Sequence, residues 1–336
     1  MRIAVNGFGR IGRNFVRALL QDEQARKKIT VAVINIGPGD REAIPYIFKY
    51  DTLMGTFLGA VSLEADHTLH IDGVTIPLIA ESSPAAINWK QYDVDWVVDC
   101  SGHFTHREDA EKHIASGARA VLISAPAKDE DITIIPGVNE AAFNPAKHKI
   151  VSLGSCTTNA LLPLTKCIHD AFTITQGFMT TVHAYTNSQV LLDVSVGGDV
   201  RRSRAAALNI IPTSTGAMKV LGKVMPELDG KIKGIALRVP VGKVSILDLV
   251  VHTQKNMTVE SIHEAVRLAS NRAMKGIMDL SNEPLVSSDY SGNSHSVIVD
   301  GLLTEADGSM AKIVGWYDNE WAYSERLKDF LLYAQK

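Results

Sequence analysis

The first twelve residues constrain this chain more than any other stretch. In RIAVNGFGRIG, residues 2–12, a short apolar run meets three glycines spaced G-x-G-x-x-G, and NFVRALL follows with apolar residues at helical spacing. The spacing predicts strand, turn and helix in direct succession. Glycines in such a turn let the backbone bend tightly and come close to a pyrophosphate, whose charge the amides and dipole of the helix start would meet. A glycine-rich turn holding no ligand is the plainer reading of the motif alone. A second apolar strand, ITVAVIN at 29–35, favours the dinucleotide reading.

At the end of that second strand an NAD site expects a carboxylate for the adenosine ribose hydroxyls. The chain has Asn35-Ile36-Gly37-Pro38-Gly39 instead, with Asp40 and Arg41 several residues later. A ribose 2'-phosphate would meet no like charge there, so NADP is admissible. The alternative is a neutral side chain that holds NAD less tightly.

Apolar runs VDWVVDC (94–100) and RAVLISAPA (119–127) flank the amphipathic REDAEKHIASGA. Strands apolar on both faces, alternating with helices, predict a parallel sheet with ligands at its carboxyl edge. Cys100 reads as a core thiol. Beyond about residue 150 the pattern changes. GFMTTVHAYT, KIKGIALRVP and KVSILDLVVHT alternate as in a mixed or antiparallel sheet, while AAALNIIPTSTGAMKVLGKVM and VESIHEAVRLASNRAM read as helices on one face. The boundaries expected are 1–154 for a dinucleotide domain, 155–318 for a catalytic domain and 319–336 for a C-terminal helix packing back on the first.

Composition excludes several classes. A net charge of −3 with 46% hydrophobic residues describes a globular chain, not a polybasic nucleic-acid binder. No apolar run approaches the roughly 20 residues needed to span a membrane. The N-terminus has no secretory pattern, and the three cysteines, Cys100, Cys156 and Cys167, follow no disulfide or CxxC metal spacing. These features predict a soluble, cytoplasmic protein that binds no metal.

One thiol stands apart. In VSLGSCTTNA, Cys156 follows strand-like residues and sits in the Ser/Thr/Asn cluster that starts a helix, where the dipole favours a thiolate. His183, in TTVHAYTN, reads as the end of an exposed strand and could serve as its base. A buried apolar cysteine and an ordinary histidine remain the alternatives for each taken singly.

NGFGRIGR, KYD (49–51), ISAPAKDEDIT, SCTTN, RRSRAAALNIIPTSTGA, PLVSSDY and WYDNEWAYS are similar, in order and spacing, to phosphorylating glyceraldehyde-3-phosphate dehydrogenases, across nearly the whole chain. The resemblance implies an α/β N-terminal Rossmann domain, an α+β catalytic domain, NAD or NADP as cofactor, and a homotetramer. Cys156 would be the nucleophile and His183 the base. Thr186 and Arg238 would hold the substrate phosphate; Ser155, Thr157, Thr215 and Gly216 would hold inorganic phosphate, with Arg202 near both. Arg201 reads as a solvated charge, and Arg204 is left open. The cofactor would lie on Asn6, Gly7, Phe8, Gly9, Arg10 and Ile11, on Asn35, Ile36 and Gly37, and on Ser101, Gly102 and Ser124. Asn319 would take the nicotinamide carboxamide, with Tyr323 packed nearby.

The sequence departs from that pattern at four places. NAD-specific members carry Asp where Ile36 stands and Leu-Pro where Val194-Ser195 stand, in a loop that reaches a neighbouring subunit's ribose. A Ser195 hydroxyl can bond a 2'-phosphate, which Asp would repel, so both changes point to NADP. Ser188 replaces a common Asp, and Ala160 replaces a second cysteine, removing a local disulfide partner for Cys156. Erythrose-4-phosphate dehydrogenase shares the resemblance but fits the intact Thr186 and TSTGA segment less well. A role in binding RNA or cell surfaces draws no support from the net charge.

Overall fold

The computed structural model describes residues 1–335 and divides into two compact units. Met1–Ile134, Ala141–Gly154 and the chain from Ser324 form the first, and Ile135–Glu140 with Ser155–Tyr323 form the second.

In the first unit the strands are β1 (Arg2–Asn6), β2 (Thr30–Asn35), β3 (Val61–Leu63), β4 (Thr68–Ile71), β5 (Val74–Ile79), β6 (Trp96–Asp99), β7 (Ala120–Ile123), β8 (Ile132–Thr133) and β9 (Ile150–Ser152). They form one sheet in the order β3-β4-β5-β2-β1-β6-β7-β9-β8, antiparallel only among β3, β4 and β5. The central strands are buried on both faces, which is why they read as unbroken apolar runs. Helices α1 (Arg10–Gln21), α2 (Glu23–Lys28), α3 (Ile44–Lys49) and α4 (Arg107–Ala115) connect them. Chain order reverses at β1, which pairs with β2 on one side and β6 on the other. A crevice at the carboxyl ends of such strands is where doubly wound sheets bind ligands.

The last helix, α8 (Trp321–Tyr333), contributes to the first unit from Ser324 onward. Phe330 packs edge-on against Trp96 and Phe143, and Lys328 bonds Asp22 at 2.8 Å.

The second unit holds β10 (Ile174–Ala184), β11 (Ile211–Thr213), β12 (Ile232–Val239), β13 (Ser245–Thr253), β14 (Met278–Ser281), β15 (Val297–Asp307) and β16 (Met310–Tyr317). The sheet order is β11-β12-β10-β13-β16-β15-β14, with β10–β12 and β14–β15 parallel. Alternate residues of β13 are buried, and Leu247, Leu249 and Val251 join a core with Leu161, Leu164 and Ile168 of α5 (Cys156–Phe172). Helices α6 (Ala217–Val224) and α7 (Val259–Ser270) complete that layer.

One expected helix is shorter than its sequence pattern. Of the stretch from Ala205 to Met225, only α6 is α-helical; Ile211–Thr213 is the edge strand β11, paired with Ala236–Arg238. Pro212 has no amide to donate, which suits an edge strand and stops a helix. The stretch from Val259 to Met274 likewise ends as helix at Ser270, where Asn271 caps α7.

An ion pair ties the glycine turn to the segment after α3. Arg10 bonds the carboxylate of Asp51, with Arg13 at 4.0 Å. Burial would raise the Asp51 carboxyl, but the Arg10 bond and the Met54 and Leu53 amides outweigh it and hold it below the usual carboxylate range. A depressed folded-state pKa stabilises above the unfolded value and is lost as pH falls through the folded one. Asp51→Asn should therefore cost about 3 kcal/mol at neutral pH. Its unfolding midpoint should also fall less steeply than the parent's between pH 5 and 3, and parallel pH profiles would refute the pairing.

Candidate active site

The approach to α5 sets the position of the sulfur. Gly154 turns the chain with φ 62°, its amide donating to Ser152 Oγ at 3.0 Å. Ser155 then caps the helix: its Oγ accepts from the Thr158 amide at 3.2 Å, while Thr158 Oγ1 accepts from the Ser155 amide. This reciprocal box leaves Cys156 as the first helical residue.

Cys156 Sγ lies 3.3 Å from His183 Nε2. His183 is near the end of β10 and registers beside Arg238 on parallel β12. It is 2% exposed, not at an open strand end, because β12 and β13 flank it and Tyr317 meets its ring edge-on at 5.9 Å. On its far side, His183 Nδ1 lies 2.7 Å from Ala184 O and 2.5 Å from Arg238 Nη1. The guanidinium also donates to Ala184 O at 3.1 Å.

Burial, reinforced by Arg238, pushes the His183 pKa down to about 3, so the ring is neutral. Nδ1 faces both the Ala184 carbonyl, which only accepts, and the Arg238 guanidinium, which only donates, so these contacts fit either neutral tautomer. Burial pushes the Cys156 thiol up, against the expectation that the helix dipole would lower it. Arg238 is the largest opposing influence, followed by the Thr157 hydroxyl and the amides of Thr157 and Cys156. Burial thus favours a neutral thiol beside a neutral imidazole, and Arg238 is the main group that favours the thiolate.

The other expected phosphate residues have structural partners. Arg202 donates to Thr213 Oγ1 at 2.7 and 3.0 Å and pairs with Asp199 at 3.3 Å. It also works with burial in lowering the Arg238 pKa. Thr215 Oγ1 accepts from the Ala217 amide beside Gly216 at the start of α6, and Thr186 Oγ1 meets Ser188 Oγ at 3.1 Å. Ser195 is exposed in an irregular loop. Asn319 Oδ1 accepts from buried Ser245 Oγ at 3.2 Å, and Tyr323 is buried.

The glycine turn of the first unit suits an anionic dinucleotide. Gly7 has φ 92°, and a Cβ there would lie 2.5 Å from the Ser101 amide nitrogen; Gly9 opens on free space. Helix α1 starts at Arg10 without a side-chain cap at Gly9, and its dipole would favour the anionic pyrophosphate. Phe8 stacks on Phe48 behind the turn, and Ile11 is half-buried. Ser101 follows β6, Gly102 turns with φ 71°, and the Ser124 amide donates to Asp99 O at 2.9 Å.

Comparison with known proteins decides the family. The profile for the NAD binding domain of glyceraldehyde 3-phosphate dehydrogenase matches residues 1–107, and that for its C-terminal domain matches 155–319. The chain belongs to the glyceraldehyde-3-phosphate dehydrogenase family. It is 48% identical over 336 residues to the glyceraldehyde-3-phosphate dehydrogenase of Streptomyces coelicolor, covering 99% of this chain and 98% of the relative. It is 46% identical over 334 residues to that of Geobacillus stearothermophilus, with the same coverage. Glyceraldehyde-3-phosphate dehydrogenase 1 of Bacillus subtilis is 45% identical, covering 100% and 98%. Membership makes the chain an oxidoreductase whose N-terminal domain takes NAD or NADP. Among the described residues, no helix is long and apolar enough to cross a membrane.

Tyr317, which the sequence did not single out, also borders the Cys156–His183 pair. Its hydroxyl lies 3.1 Å from Thr157 Oγ1 and 2.7 Å from Thr181 Oγ1, joining α5, β10 and β16 beneath the sulfur. Its place in the distinctive WYDNEW run was the available signal; Thr181 and Ser245 gave none.

If Arg238 supports the thiolate, Arg238→Gln should slow alkylation of Cys156 at pH 7 by about tenfold, one pKa unit, by moving the thiol pKa upward. Arg238→Lys should recover part of the rate. Superimposable rate–pH profiles for parent and Gln variant would refute that support.

Proposed function

We propose that the chain oxidises glyceraldehyde 3-phosphate to its acyl phosphate, reversibly, with inorganic phosphate as co-substrate and NADP used at least as well as NAD. The observation that carries this reading is the 3.3 Å approach of Cys156 Sγ to His183 Nε2 at a capped helix start. It occurs in a chain matching both domains of the family.

Cys156 Sγ attacks the aldehyde carbon and forms a thiohemiacetal. Arg238 and Thr186 hold the substrate phosphate. The thiol proton passes by way of His183 Nε2 to the new hydroxyl, and as hydride leaves that carbon Nε2 takes the hydroxyl proton, while Nδ1 donates to Ala184 O. The bound nicotinamide supplies the acceptor for the hydride lost from the same carbon. A thioester on Cys156 is left. Inorganic phosphate, held by Ser155, Thr157, Thr215, Gly216 and Arg202, attacks that carbonyl and releases the acyl phosphate and the sulfur. Hydroxyls, amides and guanidinium are suited to phosphate oxygens.

The cofactor preference rests on Ile36, which follows β2 with an alkyl side chain and bonds Ile79 O through its amide. An exposed Ser195 from a neighbouring copy would add a hydroxyl for the 2'-phosphate. Exposed Phe178, Leu191, Leu192, Val200 and Leu208 support assembly with further copies, as a homotetramer. Three free thiols fit the cytoplasm.

The test is kcat/KM with NADP and with NAD, glyceraldehyde 3-phosphate and inorganic phosphate both supplied, on a preparation whose mass is measured by sedimentation. The expected result is a four-chain species, an NADP/NAD ratio of about one or more, and a shift toward NAD in Ile36→Asp as the new charge opposes the 2'-phosphate. A strong NAD preference, or a ratio unmoved by Ile36→Asp, would overturn the cofactor assignment. Faster turnover of erythrose 4-phosphate would overturn the substrate.

A further inference from the structure

Beneath the glycine turn lies a buried polar chain that the reaction itself does not use. Asn35, Asn6 and Asp99 are cross-strand neighbours at the carboxyl ends of β2, β1 and β6. Asn6 Nδ2 donates to Asp99 Oδ2 at 2.8 Å, and Asn35 Nδ2 donates to Asn6 Oδ1 at 2.7 Å. Asn35 also holds both backbone groups of Glu81, accepting from its amide at 2.8 Å and donating to its carbonyl at 2.9 Å, and takes the Gly37 amide at 3.3 Å. On the other side, Asp99 Oδ1 accepts from the Ser101 amide at 3.0 Å and hydroxyl at 2.6 Å. His113 of α4, with no solvent exposure, reaches Asp99 Oδ2 through Nε2 at 3.2 Å, and its Nδ1 lies 3.0 Å from Trp89 Nε1.

The direction of every bond in this chain is fixed from one end. An indole N–H can only donate, so His113 Nδ1 accepts from Trp89 and the ring proton sits on Nε2, donating to Asp99. Asp99 therefore faces donors alone: Asn6, His113 and both groups of Ser101. Only an acceptor-only side chain satisfies that set.

We infer that Asp99, with its orientation fixed by His113 and Trp89, is the positioning residue of the dinucleotide site. It holds the Ser101 turn on one side and, through Asn6 and Asn35, the loop at Ile36–Gly37 on the other. The Ser101 turn in turn lies hard against the glycine turn, since a Cβ on Gly7 would fall 2.5 Å from the Ser101 nitrogen and 2.8 Å from Cys100 C. A pyrophosphate at the turn and a ribose at the Ile36 loop would both depend on this spacing. The inference rests on the dinucleotide occupying the turn after β1, as proposed above.

Asp99→Asn keeps the shape but turns an amide N–H₂ toward donors, at the cost of an unsatisfied buried group. The experiment titrates the full chain with NAD and NADP by calorimetry, then measures kcat at saturating cofactor and the rate of Cys156 alkylation. Asp99→Asn should weaken the better-bound dinucleotide by about tenfold or more while kcat at saturation and the alkylation rate stay within about twofold. His113→Gln, which retains a donor, should bind within about threefold of the parent, and His113→Leu should follow Asp99→Asn. Should Asp99→Asn fail to fold, Ser101→Ala reads the same tie and should weaken binding several-fold.

Parent-like affinity in both Asp99→Asn and His113→Leu would overturn the role. So would an equal loss of dinucleotide affinity and alkylation rate, which would signal a general structural defect. A parent chain that binds neither dinucleotide would instead remove the pocket at the turn, and the positioning role with it.

Discussion

The chemistry proposed for this chain depends on where α5 begins. A thiol is useful only if it stands on a rigid base, within reach of a proton acceptor and of donors that can hold its anion. The box between Ser155 and Thr158 fixes the first helical turn, and Gly154 fixes the direction from which the chain enters it. Outside α5, the groups around the sulfur come from strands of one sheet: His183 from β10, Arg238 from the neighbouring β12, and Tyr317 of β16 against the His183 ring. Those strands carry regular pairing through the site, so their side chains are placed by register and not by loop conformation.

Electrostatics divides labour among these groups. Burial acts against charge on both the sulfur and the imidazole, and Arg238 opposes it at the sulfur while reinforcing it at the ring. The cation thus separates two groups that a simple acid–base pair would treat alike. The two thiols outside the site show the contrast: burial pushes Cys100 and Cys167 up to about 12, with Asp99 and Asp170 adding to it and no cation opposing it. Exposure separates them as well: Cys156 is half-buried, whereas Cys100 and Cys167 are buried.

Much of this was legible in the sequence where local rules suffice. The glycine turn, the strand before it and the Ser/Thr cluster around Cys156 each fold by short-range preferences, and the structure has them in those roles. What could not be read depends on pairing across long separations. His183 reads as an exposed strand end because polar residues follow it, whereas its burial comes from β12 and β13, more than fifty residues away. The stretch from Ala205 has helical composition, yet Pro212 and pairing with β12 make part of it an edge strand. Asp99 and His113 looked like an ordinary strand end and a helix residue. Their meeting with Asn6 follows from the order of β1 and β6 in the sheet, which no periodicity in either segment reveals.

The central claim is that the substrate carbon becomes bonded to Cys156. Mixing the chain with glyceraldehyde 3-phosphate and oxidised cofactor, without inorganic phosphate, and digesting the quenched protein for mass spectrometry tests it directly. The account predicts a phosphoglyceroyl thioester on the peptide containing Cys156, absent from those containing Cys100 and Cys167 and discharged when phosphate is added. Reduced cofactor formed in stoichiometric amount with Cys156 unmodified, or an acyl group on another residue, would contradict it.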